Sequence, residues 1–354
     1  MNFKYVLCLS GIFLALPILA VIAITFPIPI TISGIGYLLA ISIAIAGLIL
    51  APWVPKYRSL IVIGLLALAL IVVTRIALGE LNSKSNLRMV TLPQEKGTRW
   101  LSYVLDEQDS LIFGETLFHF IGGSSAKEHE NITEALYQDY IDLRQAHGIV
   151  PSPIINTYLT LQRPSAFDAV VIEPKVNRHP DVGVIFLHGF MGNVTAQCWE
   201  IAHAVDRFGA VTTCPSAEWQ GKWWYPEGET ILRSTFQYLR EQGIQTIYLG
   251  GFSNGGFGIS RLASKLGAED GLSGLILIDG MTDAPGLRSL GIPILLIQGT
   301  QDERMPVTEA RQIAEELGKL GTYVEIDSDH FLIMKEPQLV QNAIQTWLEA
   351  QTKQ

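Results

Sequence analysis

Ser253, Asp302 and His330 are the residues of this chain whose types and spacing suggest covalent chemistry. Ser253 stands in Gly251-Phe252-Ser253-Asn254-Gly255, directly after the β-branched run Thr246–Leu249 and at the start of a helical pattern near residue 254. A serine on such a strand-to-helix turn is held out above a sheet edge, and its glycine neighbours remove side chains that would clash there. The helix N-terminus beneath it favours developing negative charge. Serine alone is a poor nucleophile. It needs an adjacent base, and the base needs an acid to fix its tautomer. His330, in Asp327-Ser328-Asp329-His330-Phe331, follows the last apolar run, and Asp302, in Gly299-Thr300-Gln301-Asp302, follows the run Ile294–Ile297. The order is nucleophile, acid, base. Asp279, Asp283 and Glu303 are rival acids, whereas Asp327 and Asp329 read as turn and cap residues.

An oxyanion also needs donors. The segment His188-Gly189-Phe190-Met191-Gly192 follows Val182–Leu187, so its N–H groups are expected over the same edge. The backbone N–H of Phe190 is the first choice and that of Met191 the second, paired with the N–H of Asn254. His188 itself reads as structural. The aromatic segment Trp219 to Pro226 is expected near the mouth, with Met191, Trp223 and Trp224 bordering the substrate. The competing reading is a loop packed on the sheet. No metal-ligand spacing, P-loop or dinucleotide fingerprint is visible, so neither a metal nor a cofactor is expected.

These residues need a scaffold whose strand ends converge. From about 166 onward, short β-branched runs (169–172, 182–187, 210–213, 246–249, 275–278, 294–297, 323–326) alternate with helical segments (about 195–208, 229–242, 254–266, 306–319, 336–351). Continuous apolar runs suit parallel strands buried on both faces. The expected class is therefore α/β, a mostly parallel sheet with helices on both faces and ligands beyond the carboxyl ends of the strands. With these motifs in this order, residues 166–354 resemble the α/β-hydrolase fold family, in its esterase, lipase and serine-aminopeptidase-like branches. The resemblance implies Ser253 as nucleophile, His330 as base, Asp302 as its orienter, and Phe190 and Asn254 as the oxyanion hole. It implies a hydrolase acting on an ester, with a peptidase or amidase as the alternative and a catalytically silent binding module as the outsider. Many members carry a helical lid in the connection that here runs only from Asp279 to Pro293, so the site is expected to be open or covered by the extra region at 98–165.

The front of the chain is different. The first acidic residue is Glu80, and only Lys4, Lys56, Arg58 and Arg75 are basic before it. The remainder carries 21 basic and 34 acidic residues, a net charge of −13 against −9 for the whole chain. Such a surface argues against nucleic acid as a partner. Three apolar segments, 5–25, 32–51 and 59–78, are each near the roughly 20 residues that cross a bilayer, with Arg75 placed to snorkel. Lys4 and the Lys56/Arg58 loop should face the cytoplasm, which places everything after Glu80 outside; Lys4 and the first segment also resemble a signal peptide. The expected division is a membrane region 1–80, a linker and extension 81–165 with a helix over 126–147, and a catalytic domain 166–354. The expected partners are the membrane and a small or lipid-like ester. Cys198 and Cys214 could pair or remain buried thiols. Asn131 and Asn193 match the glycosylation pattern, a weak signal.

Overall fold

A computed structural model describes residues 5–6, 9–15, 30–81, 85–175, 181–266 and 271–352. The chain divides into two compact units, one of residues 1–83 with 103–149 and one of residues 84–102 with 150–354. Residues 103–149 thus group with the apolar segments and not with the sheet.

In the first unit, helix α1 (Ile32–Leu50) and helix α2 (Arg58–Leu81) form an apolar hairpin. Both are long and apolar enough to cross a membrane, and only 22% and 11% of their most apolar windows are buried. Leu65, Leu66, Leu70 and Val73 lie exposed. The helices approach through small residues: a Cβ on Gly64 would lie 2.6 Å from the Ala40 carbonyl oxygen, and one on Gly47 2.7 Å from the Ile61 nitrogen. Small residues at these contacts let the two backbones approach closely. The expected segment 5–25 falls largely outside the described residues.

Arg75 corrects an expectation. Its guanidinium does not reach toward headgroups; it is buried and donates to Tyr103 O (2.8 Å), Leu105 O (3.1 Å), Ser33 Oγ (2.7 Å) and Asp106 Oδ2 (3.4 Å). A buried charge persists when it is paired and hydrogen-bonded. Nearby, Asp109 accepts from the N–H of Thr31, 2.9 Å away, and from its hydroxyl. Helix α3 (Glu107–Phe120) starts at Asp106, whose side chain accepts from Gln108 N. Helix α4 (Ala126–His147) is opened by a capping box between Ser125 and Glu128 and closed by Gly148. The helix expected over 126–147 has these limits.

In the second unit, eight strands among the described residues form one sheet. They are β1 (Leu87–Leu92), β2 (Phe167–Ile172), β3 (Val182–Leu187), β4 (Val211–Pro215), β5 (Thr246–Phe252), β6 (Leu272–Ile278), β7 (Ile294–Gly299) and β8 (Gly321–Ile326). Their order is β1-β2-β4-β3-β5-β6-β7-β8. β1 and β2 run antiparallel to their neighbours, and the rest are parallel. Consecutive residues of β2, β4 and β7 are all buried; since neighbours point to opposite faces, both faces are covered. The covering elements are α5 (Ile154–Tyr158), α6 (Thr195–Val205), α7 (Pro226–Glu241), α8 (Asn254–Leu262), α9 (Ala284–Ser289), α10 (Val307–Leu317), α11 (Leu332–Lys335) and α12 (Pro337–Thr352). β1 occupies residues expected to be linker. The order reverses at β3, between β4 and β5, and that reversal opens the crevice where ligands bind in such sheets.

Candidate active site

Ser253 follows β5 and caps α8, with φ 52° and ψ −119°. A non-glycine residue in that region is strained and persists only where its surroundings fix it. Here they do. Ser253 N–H donates to Ile278 O at 2.9 Å, and Phe257 N–H to Ser253 O at 3.0 Å. Gly255 permits the tight passage: a Cβ there would lie 2.0 Å from the Leu187 carbonyl oxygen at the end of β3.

The loops after β5, β7 and β8 meet. His330 Nε2 lies 2.9 Å from Ser253 Oγ, and His330 Nδ1 lies 2.8 Å from Asp302 Oδ2. A carboxylate facing Nδ1 requires the proton there, which leaves Nε2 free to accept from the serine hydroxyl. The rings of Phe252 and Phe331 flank the imidazole, with centroids 5.2 and 5.6 Å away. Asp302 is buried and heavily bonded. Oδ1 accepts from Arg304 N (2.8 Å) and Met305 N (2.9 Å), and Oδ2 also accepts from Gln298 Nε2 (3.1 Å). Burial pushes its carboxyl up, but the bonds from His330, Met305 and Arg304 outweigh burial and hold it below the usual carboxylate range.

The rival acids lie elsewhere. Asp283 caps α9, accepting from Gly286 N at 3.2 Å, and Glu303 is exposed. Asp279 is buried close behind Asp302 without displacing it from His330. Asp329 accepts from Phe331 N (3.0 Å) and pairs with Lys335 (2.7 Å), whereas Asp327 accepts from Gln301 Nε2 (2.8 Å).

The loop after β3 lies against the serine: a Cβ on Gly189 would lie 3.0 Å from Ser253 Cβ. Among the described residues, the N–H groups of Phe190 and Asn254 meet no acceptor, so both are available to a developing oxyanion. Met191 takes φ 81°, and its carbonyl accepts from Tyr158 OH at 3.2 Å. His188 is enclosed. Nδ1 lies 2.8 Å from Gly189 O, and Nε2 accepts from Ala217 N at 3.1 Å. Burial lowers its pKa to about 4, against a weaker upward pull from the Gly189 carbonyl. It is therefore a neutral strut of the loop.

Trp223 is not at the mouth. It is fully buried, and its indole N–H donates to His188 O at 2.9 Å; a buried indole N–H needs such an acceptor. Trp224 is half-buried with the Arg261 guanidinium 5.5 Å over its ring. The exposed apolar residues near the loop are instead Phe190, packed edge-on against Trp219 with ring centroids 5.1 Å apart, and Tyr158 and Leu159. The latter two come from the extension, where no motif marked them. Asn193 is buried and donates to Cys214 O (2.8 Å) and Ser216 Oγ (3.1 Å), so it offers no glycosylation site. Cys198 and Cys214 form a disulfide.

No family model matches the chain, and no curated protein does. Solved structures similar to it include Est1E from Butyrivibrio proteoclasticus, at 16% identity and TM-score 0.46, covering 53% of this chain and 96% of that one. An alpha-beta serine hydrolase homologue from Coxiella burnetii is 18% identical, with TM-score 0.41, covering 51% of this chain and 91% of that one. A thermophilic esterase from Thermogutta terrifontis is 18% identical, with TM-score 0.42, covering 54% of this chain and 99% of that one. At such distances function does not transfer. The strand order with its antiparallel β2 and the strained serine turn after β5 decide the fold. The second unit has the α/β-hydrolase fold. Within this α/β-hydrolase unit the serine, histidine and aspartate stand at the carboxyl ends of β5, β8 and β7, the edge of such a sheet at which ligands bind.

Proposed function

We propose that the chain is a membrane-anchored serine hydrolase that cleaves a carboxylic ester with an apolar acyl or aromatic part. The observation that carries this reading is the continuous hydrogen-bonded chain Ser253 Oγ, His330, Asp302. In the reaction, His330 Nε2 takes the hydroxyl proton while Oγ bonds to the ester carbonyl carbon. The carbonyl oxygen becomes an anion beside the Phe190 and Asn254 N–H groups. Collapse of this intermediate breaks the bond to the alcohol oxygen, which leaves with the proton from His330. Water, deprotonated by the same imidazole, then attacks the acyl-enzyme, releases the acid and returns the proton to Ser253.

The apolar preference rests on exposed Tyr158, Leu159 and Phe190 near the oxyanion loop. The anchor rests on α1 and α2, whose outward faces are apolar. Placement of the hydrolase unit outside the cytoplasm rests on the Lys56/Arg58 loop and on the Cys198–Cys214 disulfide, since disulfides persist in oxidising compartments.

A panel of aryl esters of increasing acyl length, set beside aminoacyl anilides, tests the reading on the full chain in detergent. Ester turnover that rises with acyl length and vanishes in Ser253→Ala is expected. Turnover of the anilides alone would make the protein a peptidase.

A further inference from the structure

Asp279 is a buried titratable group that the triad leaves unused. It directly follows β6, with φ 43°, and its side chain is wholly buried. Oδ1 accepts from Gly299 N at 2.8 Å. Oδ2 meets no N–H or O–H donor among the described residues. Asp279, Asp302 and His330 each place a side-chain oxygen or nitrogen within 4.8 Å of the others. Both ring nitrogens of His330 are already committed, to Asp302 and to Ser253.

Two carboxyls enclosed this closely cannot both ionise cheaply. Their bonding says which one carries the charge. Asp302 receives four hydrogen bonds, from Arg304 N, Met305 N, Gln298 Nε2 and His330 Nδ1. Asp279 receives one. The remaining charged groups around the pair add no cation to Asp279. Asp329, on the loop after β8, is itself paired with Lys335, and Arg304 is exposed beside the Phe331 ring. A buried oxygen with no donor aimed at it, next to a carboxylate, is satisfied when it bears the proton.

We infer that Asp279 is a neutral carboxylic acid that donates a hydrogen bond from Oδ2 to the Asp302 carboxylate, keeping one negative charge instead of two behind His330. This makes Asp279 a positioning residue. It also ties the end of β7, through Gly299, to the loop that carries Asp302. Burial, followed by the charges of Asp302 and Asp329, pushes the Asp279 carboxyl well above the usual carboxylate range, against the pull of the Gly299 N–H. The inference rests on the triad reading of Ser253, His330 and Asp302.

The test compares Asp279→Asn with Asp279→Ala in the full chain, using the pH profile of kcat/KM for an aryl ester. Asn keeps an acceptor for Gly299 and a donor for Asp302; Ala keeps neither. The expected result is a loss of about tenfold in Ala that Asn largely restores. The acidic limb should stay in place in Asn and move to higher pH in Ala, because Asp302 then faces His330 without its donor. An ionised Asp279 predicts the opposite sign, with the acidic limb moving to lower pH in both variants and Asn giving no rescue. That outcome overturns the inference. In the unmutated protein at pH 8, a protonated-carboxyl C=O stretch in the infrared that disappears in Asp279→Asn is expected; its absence contradicts the inference without reference to turnover. Full turnover in Ser253→Ala would instead mark failure of the triad reading.

Discussion

Arg75 and Asp302 are both charged groups drawn out of water, one beside apolar helices and one behind a serine. Around Arg75 the bonding is saturated: the guanidinium ties together Ser33, Tyr103, Leu105 and Asp106, and its partners are held by the fold itself. Around Asp302 the bonding leads outward, through His330 to a half-exposed hydroxyl with two unpaired N–H groups nearby. The first arrangement stabilises a structure. In the proposed reaction the second supplies polarity for a charge that develops at the substrate. The contrast teaches that a buried charge signals function when its chain of partners ends at an unspent group, and architecture when it closes on itself.

Breaking each arrangement should separate the two roles. Asp302→Asn should lower kcat by roughly 10³–10⁴ with little change in melting temperature, measured by ester turnover and calorimetry on one preparation. Arg75→Met should do the reverse, stripping the Tyr103 and Leu105 carbonyls of their donor and leaving the partly buried Asp106 with only the more distant Arg144, at a cost of about 1–3 kcal/mol. Limited proteolysis within 103–149 should detect it, and a second change, Asp106→Asn, which removes the charge but keeps an acceptor for Gln108 N, should recover part of the loss.

Two smaller effects sharpen the comparison within the hydrolase unit. His188 has a folded pKa of about 4, below its usual 6.5. The unfolded chain therefore binds the extra proton first, and stability falls as pH drops from about 6.5 to 4, by about 3 kcal/mol in all. Urea unfolding at a series of pH values should show this slope, and His188→Gln should lack it. For Asp279 the folded carboxyl stays protonated above the range where the unfolded one ionises. Its contribution is present below about pH 4 and is lost at about 1.4 kcal/mol per pH unit as pH rises toward its folded value. Asp279→Asn should thus gain melting temperature over the unmutated protein as pH rises from 4 to 8.

The central strands were legible because β3, β6 and β7 are continuous apolar runs, and α4 because Ile132, Leu136, Tyr140 and Leu143 recur at helical spacing before the stop at Gly148. Helix α3 was not. Its buried positions are Glu107, Gln108, Leu111, Ile112, Glu115 and Thr116, so the face that packs is largely polar and no apolar period marks it. β1 was hidden by the polar residues before it and by Arg88 within it. The site was readable wherever a residue sits at a strand end beside a glycine or turn signal, as Ser253, Asp302 and His330 do. Trp223 was misplaced because an aromatic run looks the same from the sequence whether it lines a rim or carries its indole N–H inward to His188. Tyr158 left no signal at all, since its bond to Met191 joins segments 33 residues apart.

The most direct measurement is covalent labelling of the full chain in native membranes with a fluorophosphonate, read by mass spectrometry of the tryptic peptides. The account predicts a single adduct on Ser253, absent in Ser253→Ala and strongly reduced in His330→Ala. A folded protein that takes no label, or takes it at another residue, would contradict it.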